Sequence, residues 1–238
     1  MVASTACELY GFRVTAERRG AAGTRGGDFY ILAARAPGRI GIVIGDACGN
    51  GAEGEAQLAS ILPLAHELVR SGISPARLLV ELNRVAILEL PLDRFVTAVA
   101  LELDVAHGIL TAASAAHVPP LVRRAENVSM ACSHAGCPLG FSEASTYVDE
   151  QHDLIAGDLI VLMTDGILEA IETDLLEMST ARSLFAEATE GARGVHRLFL
   201  RKVEERTSGQ RTDDMTFVAV EALPEVSVSN ANSFLQVG

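Results

Sequence analysis

Basic side chains are the scarce class in this 238-residue chain: 19 Lys and Arg stand against 31 Asp and Glu, a net charge of −12. A balance of that sign argues against nucleic acid or an anionic membrane as the main partner. Long hydrophobic runs are also missing. No stretch approaches the roughly 18 apolar residues of a membrane span. Met1–Glu8 lacks the basic segment followed by an apolar stretch that marks a secretory signal. The four cysteines, Cys7, Cys48, Cys132 and Cys137, form no dense framework, so reduced thiols and a cytoplasmic setting are expected. There is no internal repeat and no low-complexity tract. What remains is ordinary globular composition, 49% hydrophobic and 21% charged, in a chain long enough to bury a substantial core. Residues 1–222 are expected to form one domain and 223–238, which have weak periodicity, a C-terminal tail.

Hydrophobic periodicity changes along the chain. Alternating Tyr10, Phe12 and Val14 predict an early strand, followed by a glycine-rich turn over 20–27. Asp28–Ala34 and Arg39–Gly45 read as a hairpin across Pro37-Gly38. Ala52–Arg70 repeats Leu58, Ile61, Leu62, Ala65 and Leu68 at helical spacing, with Pro63 expected to bend or interrupt it. Ser74-Pro75 opens a second helix that runs to Glu89. Strands recur at Val96–Leu103, Ile109–Ala115 and Pro120–Arg123. A loop over Arg124–Gly140 leads to a strand near Thr146–His152, and Leu159–Met163 fits a buried strand. Helices near Thr180–Thr189 and Val195–Arg206 precede a last strand at Met215–Glu221. Strands with hairpin-length links, interrupted twice by helix pairs, predict antiparallel sheets covered by helices, not a doubly wound parallel sheet.

Four aspartates stand where an apolar strand meets a turn or a glycine. They are Asp28 in Gly26-Gly27-Asp28, Asp46 in Gly45-Asp46-Ala47-Cys48-Gly49-Asn50-Gly51, Asp165 in Thr164-Asp165-Gly166, and Asp213 in Thr212-Asp213-Asp214. A lone Asp-Gly is a turn. Carboxylates at several strand ends can instead converge on one point, where they repel unless cations lie between them. An all-oxygen donor set suits hard divalent ions such as Mg²⁺ or Mn²⁺. The first reading is therefore a two-metal hydrolytic centre.

Two other motifs compete with it. Gly49-Asn50-Gly51-Ala52-Glu53-Gly54 fits G-x-G-x-x-G between a strand and a helix, as a dinucleotide site requires. That reading needs a parallel strand where the chain has a second helix. It also puts Asp46 and Glu53 where a pyrophosphate needs positive potential. No Lys-Ser or Lys-Thr follows the glycines to make a P-loop. Cys132, His134 and Cys137 offer three zinc ligands without an evident fourth.

Taken in order, these segments resemble the bacterial branch of the PPM (PP2C-type) metal-dependent serine/threonine phosphatases, the SpoIIE/RsbU/RsbX-like group, from Gly26 to Val220. Gly26-Gly27-Asp28-Phe29-Tyr30 looks like that family's first metal motif, and Ile44–Gly51 like its Asp-x-x-Gly-x-Gly motif. Phe95-Val96-Thr97-Ala98, Ala116–Leu121 and Gly136-Cys137-Pro138-Leu139-Gly140 follow in place. Gly157–Gly166 and Asp213-Asp214-Met215-Thr216 complete the order. Any one of these is weak, but the ordered set is specific.

The resemblance implies an α+β fold, a four-layer α/β/β/α sandwich of two antiparallel sheets flanked by helix pairs. It implies two ions, Mn²⁺ or Mg²⁺, with Asp46 bridging them and the Ala47 carbonyl binding one. Asp165 and Asp213 would bind the other, Asp28 would hold metal-bound water or a further ion, and Asp214 would orient a ligand. The implied activity is hydrolysis of phosphoserine or phosphothreonine by direct attack of a metal-bound water, with no covalent enzyme intermediate. The implied substrate is a small STAS-type regulator of a bacterial stress or sporulation pathway. With only 27 residues before Asp28, control is expected from a partner, the tail or metal supply. A non-catalytic binding module on the same fold is the remaining alternative.

Two departures from the family pattern touch the site. Asn50 stands where the family often has His, and Ala115-Ala116-His117 replaces the usual Asn-Ala-Gly-His. Neither removes an expected ligand. His117 is a candidate acid for the leaving group, though a turn or packing role suits it better. Arg25 is a candidate phosphate contact on an exposed loop, and Cys48 is a small residue near the expected metals.

Overall fold

The computed structural model describes residues 2–20, 26–49, 51–172, 178–208, 213–224 and 235–237. Two sheets face each other. One runs in the order β1 (Val2–Leu9), β2 (Phe12–Arg19), β12 (Met215–Ala222), β11 (Leu159–Met163), β7 (Leu121–Arg124) and β8 (Asn127–Met130). The other runs β10 (Glu150–Asp153), β6 (Ile109–Ala115), β5 (Val96–Asp104), β4 (Arg39–Ala47), β3 (Asp28–Ala36) and β13 (Leu235–Val237), with the short β9 (Ala135–Gly136) on β6. Every pairing between these strands is antiparallel except β6 with β9.

The inner strands are buried on both faces, so they read as near-continuous apolar runs. On β4, Ile40, Ile42 and Ile44 enter the core between the sheets, where they meet Val14, Tyr30, Leu101, Leu162 and Val218. The alternate residue Val43 joins Leu58, Ile61, Leu79 and Leu82 beneath α1 (Ala52–Ser71) and α2 (Pro75–Glu89). The first sheet is covered in the same way. Val161, Met163, Phe217 and Ala219 pack against Phe185, Val195 and Phe199 of α4 (Ser179–Glu187) and α5 (Gly191–Thr207). Each such side chain contributes about 1.5–3 kcal/mol on burial. The result is the four-layer α/β/β/α sandwich that the family resemblance implied.

The elements depart from expectation in several places. An extra strand, β1, pairs along the whole of β2; its Val-Ala-Ser-Thr-Ala-Cys-Glu-Leu sequence is too mixed to show period two. The expected loop over Arg124–Gly140 contains the edge strands β8 and β9. The strand placed near Thr146–His152 falls at Glu150–Asp153. Helix α1 runs through Pro63 as one 20-residue helix. Asp165 opens a short helix, α3 (Asp165–Ile171), that the reading did not contain. Leu235–Val237, in the segment expected as a tail, pairs with Tyr30–Leu32 at the edge of the second sheet.

Candidate metal centre

The site follows from strand parity. On each inner strand, the face that fills the space between the sheets turns polar two residues beyond its last core side chain. Tyr30 gives way to Asp28, Ile44 to Asp46, Val99 to Thr97, Leu162 to Thr164 and Val218 to Thr216. Since residues i and i+2 share a face, one end of the inter-sheet core is lined by oxygen atoms. Register places Asp28 directly opposite Asp46, and Asp46 opposite Thr97.

Close backbone approach sets the geometry. A Cβ on Gly27 would lie 2.4 Å from the Ala47 carbonyl oxygen and 3.0 Å from Asp46 Oδ1. Both expected donor oxygens therefore face the space that the missing side chain leaves open. The Ala47 N–H donates to the Gly27 carbonyl at 3.0 Å, and the Gly27 N–H donates to Asp214 Oδ2 at 2.8 Å. Asp214, itself buried, thus holds the backbone beside Asp28. Gly166 is equally constrained, because a Cβ there would lie 2.0 Å from the Asp214 carbonyl oxygen. The start of α3 can close on the Asp213-Asp214 turn only without a side chain at that position.

The two sheets are joined through Asp28. Thr164 Oγ1 donates to Asp28 Oδ2 at 2.7 Å and accepts from the Thr216 N–H at 2.9 Å. Both threonines are fully buried.

The charges of the four sequence-expected aspartates act on one another. Burial pushes Asp46 up to about 9, reinforced by the charges of Asp28, Asp165 and Asp213. Burial also raises Asp28, to about 7; the hydrogen bond from Thr164 and the nearby Thr216 hydroxyl oppose the shift, and the charges of Asp214 and Asp165 add to it. Asp165 is raised by burial and by Asp213, although it sits at the exposed rim. Glu169 follows Asp165 by one helical turn and is raised by burial and by both Asp165 and Asp213. The sequence reading missed Glu169. Its only signal was i, i+4 spacing in a helix too short to recognise.

Among the described residues, no three carboxylate, imidazole or thiol groups already close on one point as a metal shell. The donor chemistry nevertheless fits a hard divalent cation. Four carboxylates crowd together at the end of the sandwich, and a backbone oxygen shares the cradle at Gly27.

The remaining candidates fall into place around this centre. His117 is buried, its Nδ1 lies 2.9 Å from Thr97 Oγ1, and burial lowers its pKa to about 4. It is therefore neutral near pH 7, which suits packing better than proton donation. Cys132 is buried, with its thiol pushed up to about 12 by burial, whereas His134 and Cys137 are exposed; the three do not form a zinc site. β4 and β5 are antiparallel and α1 leads into α2, so the Gly49–Gly54 segment lacks the parallel unit of a dinucleotide fold. Arg25 and Asn50 lie outside the described residues. Among the described residues, no helix is long and apolar enough to cross a membrane.

Comparison with known proteins agrees with this architecture. A family model described as Stage II sporulation protein E (SpoIIE) matches residues 36–223. Phosphoserine phosphatase RsbU of Bacillus subtilis (strain 168) is 29% identical over 163 residues, which are 68% of this chain and 48% of that protein. The RsbU and RsbW domains of a Mycobacterium tuberculosis protein superpose with a TM-score of 0.78 at 25% identity, over 90% of this chain and 62% of that one. RsbX in complex with magnesium gives 0.73 at 15% identity, over 92% and 99%. The chain spans only 24% to 48% of the length of the curated relatives it matches. With the family match covering most of its length and a PP2C-type sandwich beneath it, the chain belongs to the SpoIIE family of PP2C-fold proteins.

Proposed function

We propose that this chain is a metal-dependent protein phosphatase that hydrolyses phosphoserine or phosphothreonine on a small protein regulator of the STAS type. The observation that carries the reading is that register sets Asp28 opposite Asp46 while Asp46 Oδ1 and the Ala47 carbonyl oxygen share the cradle at Gly27, with the charges of Asp165 and Asp213 reaching the same carboxylate. Such a cluster is hard to explain except as a cation site. Bound divalent ions, two of Mn²⁺ or Mg²⁺, would supply an activated water and positive charge for the phosphoryl oxygens.

The chain's own residues would do the rest. Asp46 would bridge the ions, the Ala47 carbonyl would bind one, and Asp165 and Asp213 would bind the other. Asp28 would hold water or a further ion against Thr164. The acidic surface disfavours polyanionic substrates. The rim position of Asp165 leaves the site open to a phosphate on a protein surface. The family relationship and the name of RsbU support the substrate class.

The test is hydrolysis of p-nitrophenyl phosphate and of a serine-phosphorylated STAS-domain protein, with Mn²⁺ or Mg²⁺ and after chelation. EDTA should abolish turnover of both. Asp46→Asn, folded by circular dichroism, should lose about two orders of magnitude or more, since even residues that merely support metal ligands cost roughly 10–100-fold. Turnover that survives thorough chelation would overturn the reading.

A further inference from the structure

The turn that carries Asp46 and Ala47 is gripped from behind by a residue that the metal reading does not use. Gln57 lies on the buried stripe of α1 formed at four-residue spacing with Ile61, Ala65 and Val69. It is 7% exposed in a position where an apolar side chain would be the default. Its Nε2 donates to the Cys48 carbonyl at 2.7 Å, and its Oε1 lies 3.9 Å from Cys48 Sγ. The Cys48 N–H donates to the Phe95 carbonyl at 3.0 Å, and Cys48 Sγ accepts from the Phe95 N–H at 3.2 Å. Both backbone polar groups of Cys48 are thus engaged, one by α1 and one by the segment entering β5.

The consequence reaches the donor oxygens through peptide geometry. The Cys48 N–H and the Ala47 carbonyl belong to one planar trans peptide and point in opposite directions. Binding that N–H to Phe95 therefore turns the Ala47 oxygen toward Gly27, where a Cβ would meet it at 2.4 Å. Gln57 locks the next peptide. Beyond it the chain passes through Gly49 and Gly51, both at positive φ, positions with little conformational preference of their own. From α1, Gln57 holds the turn by this hydrogen bond, while Gly54 packs against the Gly49 carbonyl and Gly27.

We infer that Gln57 is a positioning residue for the metal turn, helping to hold the direction of the Ala47 carbonyl through Cys48. This rests on the metal reading for its consequence but not for its geometry.

The test uses the full chain with Gln57→Met, which keeps the length of the side chain without a donor, and Gln57→Glu, which offers only acceptors at pH 8. Hydrogen exchange of the peptide covering 46–51 in metal-free protein should quicken by about tenfold in both. Mn²⁺ affinity by calorimetry should fall by about tenfold, within the range for partners that orient ligands. KM for p-nitrophenyl phosphate at saturating Mn²⁺ should stay near the parent value. Glu67→Ala, on the exposed face of the same helix, should change none of these. A folded Gln57→Met protein with parental exchange and parental Mn²⁺ affinity would overturn the inference; if that variant does not fold, Gln57→Glu decides in the same way. Should the parent chain bind no Mn²⁺, the metal reading fails, while exchange in the metal-free protein still decides whether Gln57 holds the turn.

Discussion

Ala116 carries a left-handed backbone, φ 55°, with its side chain exposed. Its Cβ therefore buries nothing while crowding the carbonyl that follows, a conformation that costs an L-residue roughly 1–2 kcal/mol. Glycine would remove that strain at the expense of about 0.4–1 kcal/mol of unfolded-chain entropy. Ala116→Gly should accordingly raise the urea midpoint, by up to about 1 kcal/mol in stability, and leave the fold unchanged. A loss of stability would mean that the methyl group makes a contact in solution. The departure from the family's Asn-Ala-Gly-His pattern was visible in the sequence; the backbone conformation that explains the usual glycine was not. The same divide runs through the site. Asp28 and Asp46 announced themselves because each ends an apolar strand beside glycine. Thr164, Thr216 and Gln57 did not, because a single polar residue in an apolar stretch looks the same whether it faces a carboxylate, a carbonyl or nothing.

Among the elements, the hairpin of β3 and β4 was legible because both strands are long, apolar and joined by Pro37-Gly38. Helices α1 and α2 were legible from their spacing and from Ser74, whose side chain accepts from the Arg77 N–H. Short elements were missed where tertiary contacts, not local pattern, decide the structure. α3 is seven residues long and is held by packing of Ile167, Leu168 and Ile171. β8, β9 and β10 are edge pieces of two to four residues, below the length at which period two can be read. How the two sheets meet is a matter of elements too, and Thr164 tests it. Its hydroxyl is the bond between the end of β11 and Asp28 on β3, and it also satisfies the Thr216 N–H. Thr164→Val keeps the shape but strands a buried N–H and removes one donor from Asp28. The expected cost is about 2 kcal/mol in urea denaturation, within the range for an unsatisfied buried group. A loss below about 0.5 kcal/mol would show that the sheets do not depend on this link.

At the scale of the whole molecule, helix-covered antiparallel sheets could be read from element order, and the gathering of four distant aspartates from their places at strand ends, whereas the part each would play came only from the family resemblance. That gathering has a measurable signature. Asp46 and Asp28 are pushed up to about 9 and about 7, and Asp165 and Glu169 move the same way, all above the roughly 4 of an unfolded carboxyl. Between the two values the folded protein holds protons that the unfolded chain has released. Stability therefore falls as pH rises toward the folded values. His117, lowered to about 4, and His66 and His196, also lowered, have the opposite effect, but only below about 6.5. From pH 6.5 to 9 the acidic cluster should set the slope, with the raised thiols of Cys7 and Cys132 adding to the fall above about pH 8. In EDTA, Tm by calorimetry should decline steadily across that range. Asp46→Asn, which removes the most strongly raised carboxyl, should flatten the decline. Mg²⁺, binding the ionised oxygens, should stabilise more at pH 9 than at 6.5, reaching about 2.7 kcal/mol at a hundred times its Kd. A metal-free Tm that stays level from pH 6.5 to 9 would mean that the aspartates are not crowded in solution, and the basis for a cation site at this end of the fold would go with them.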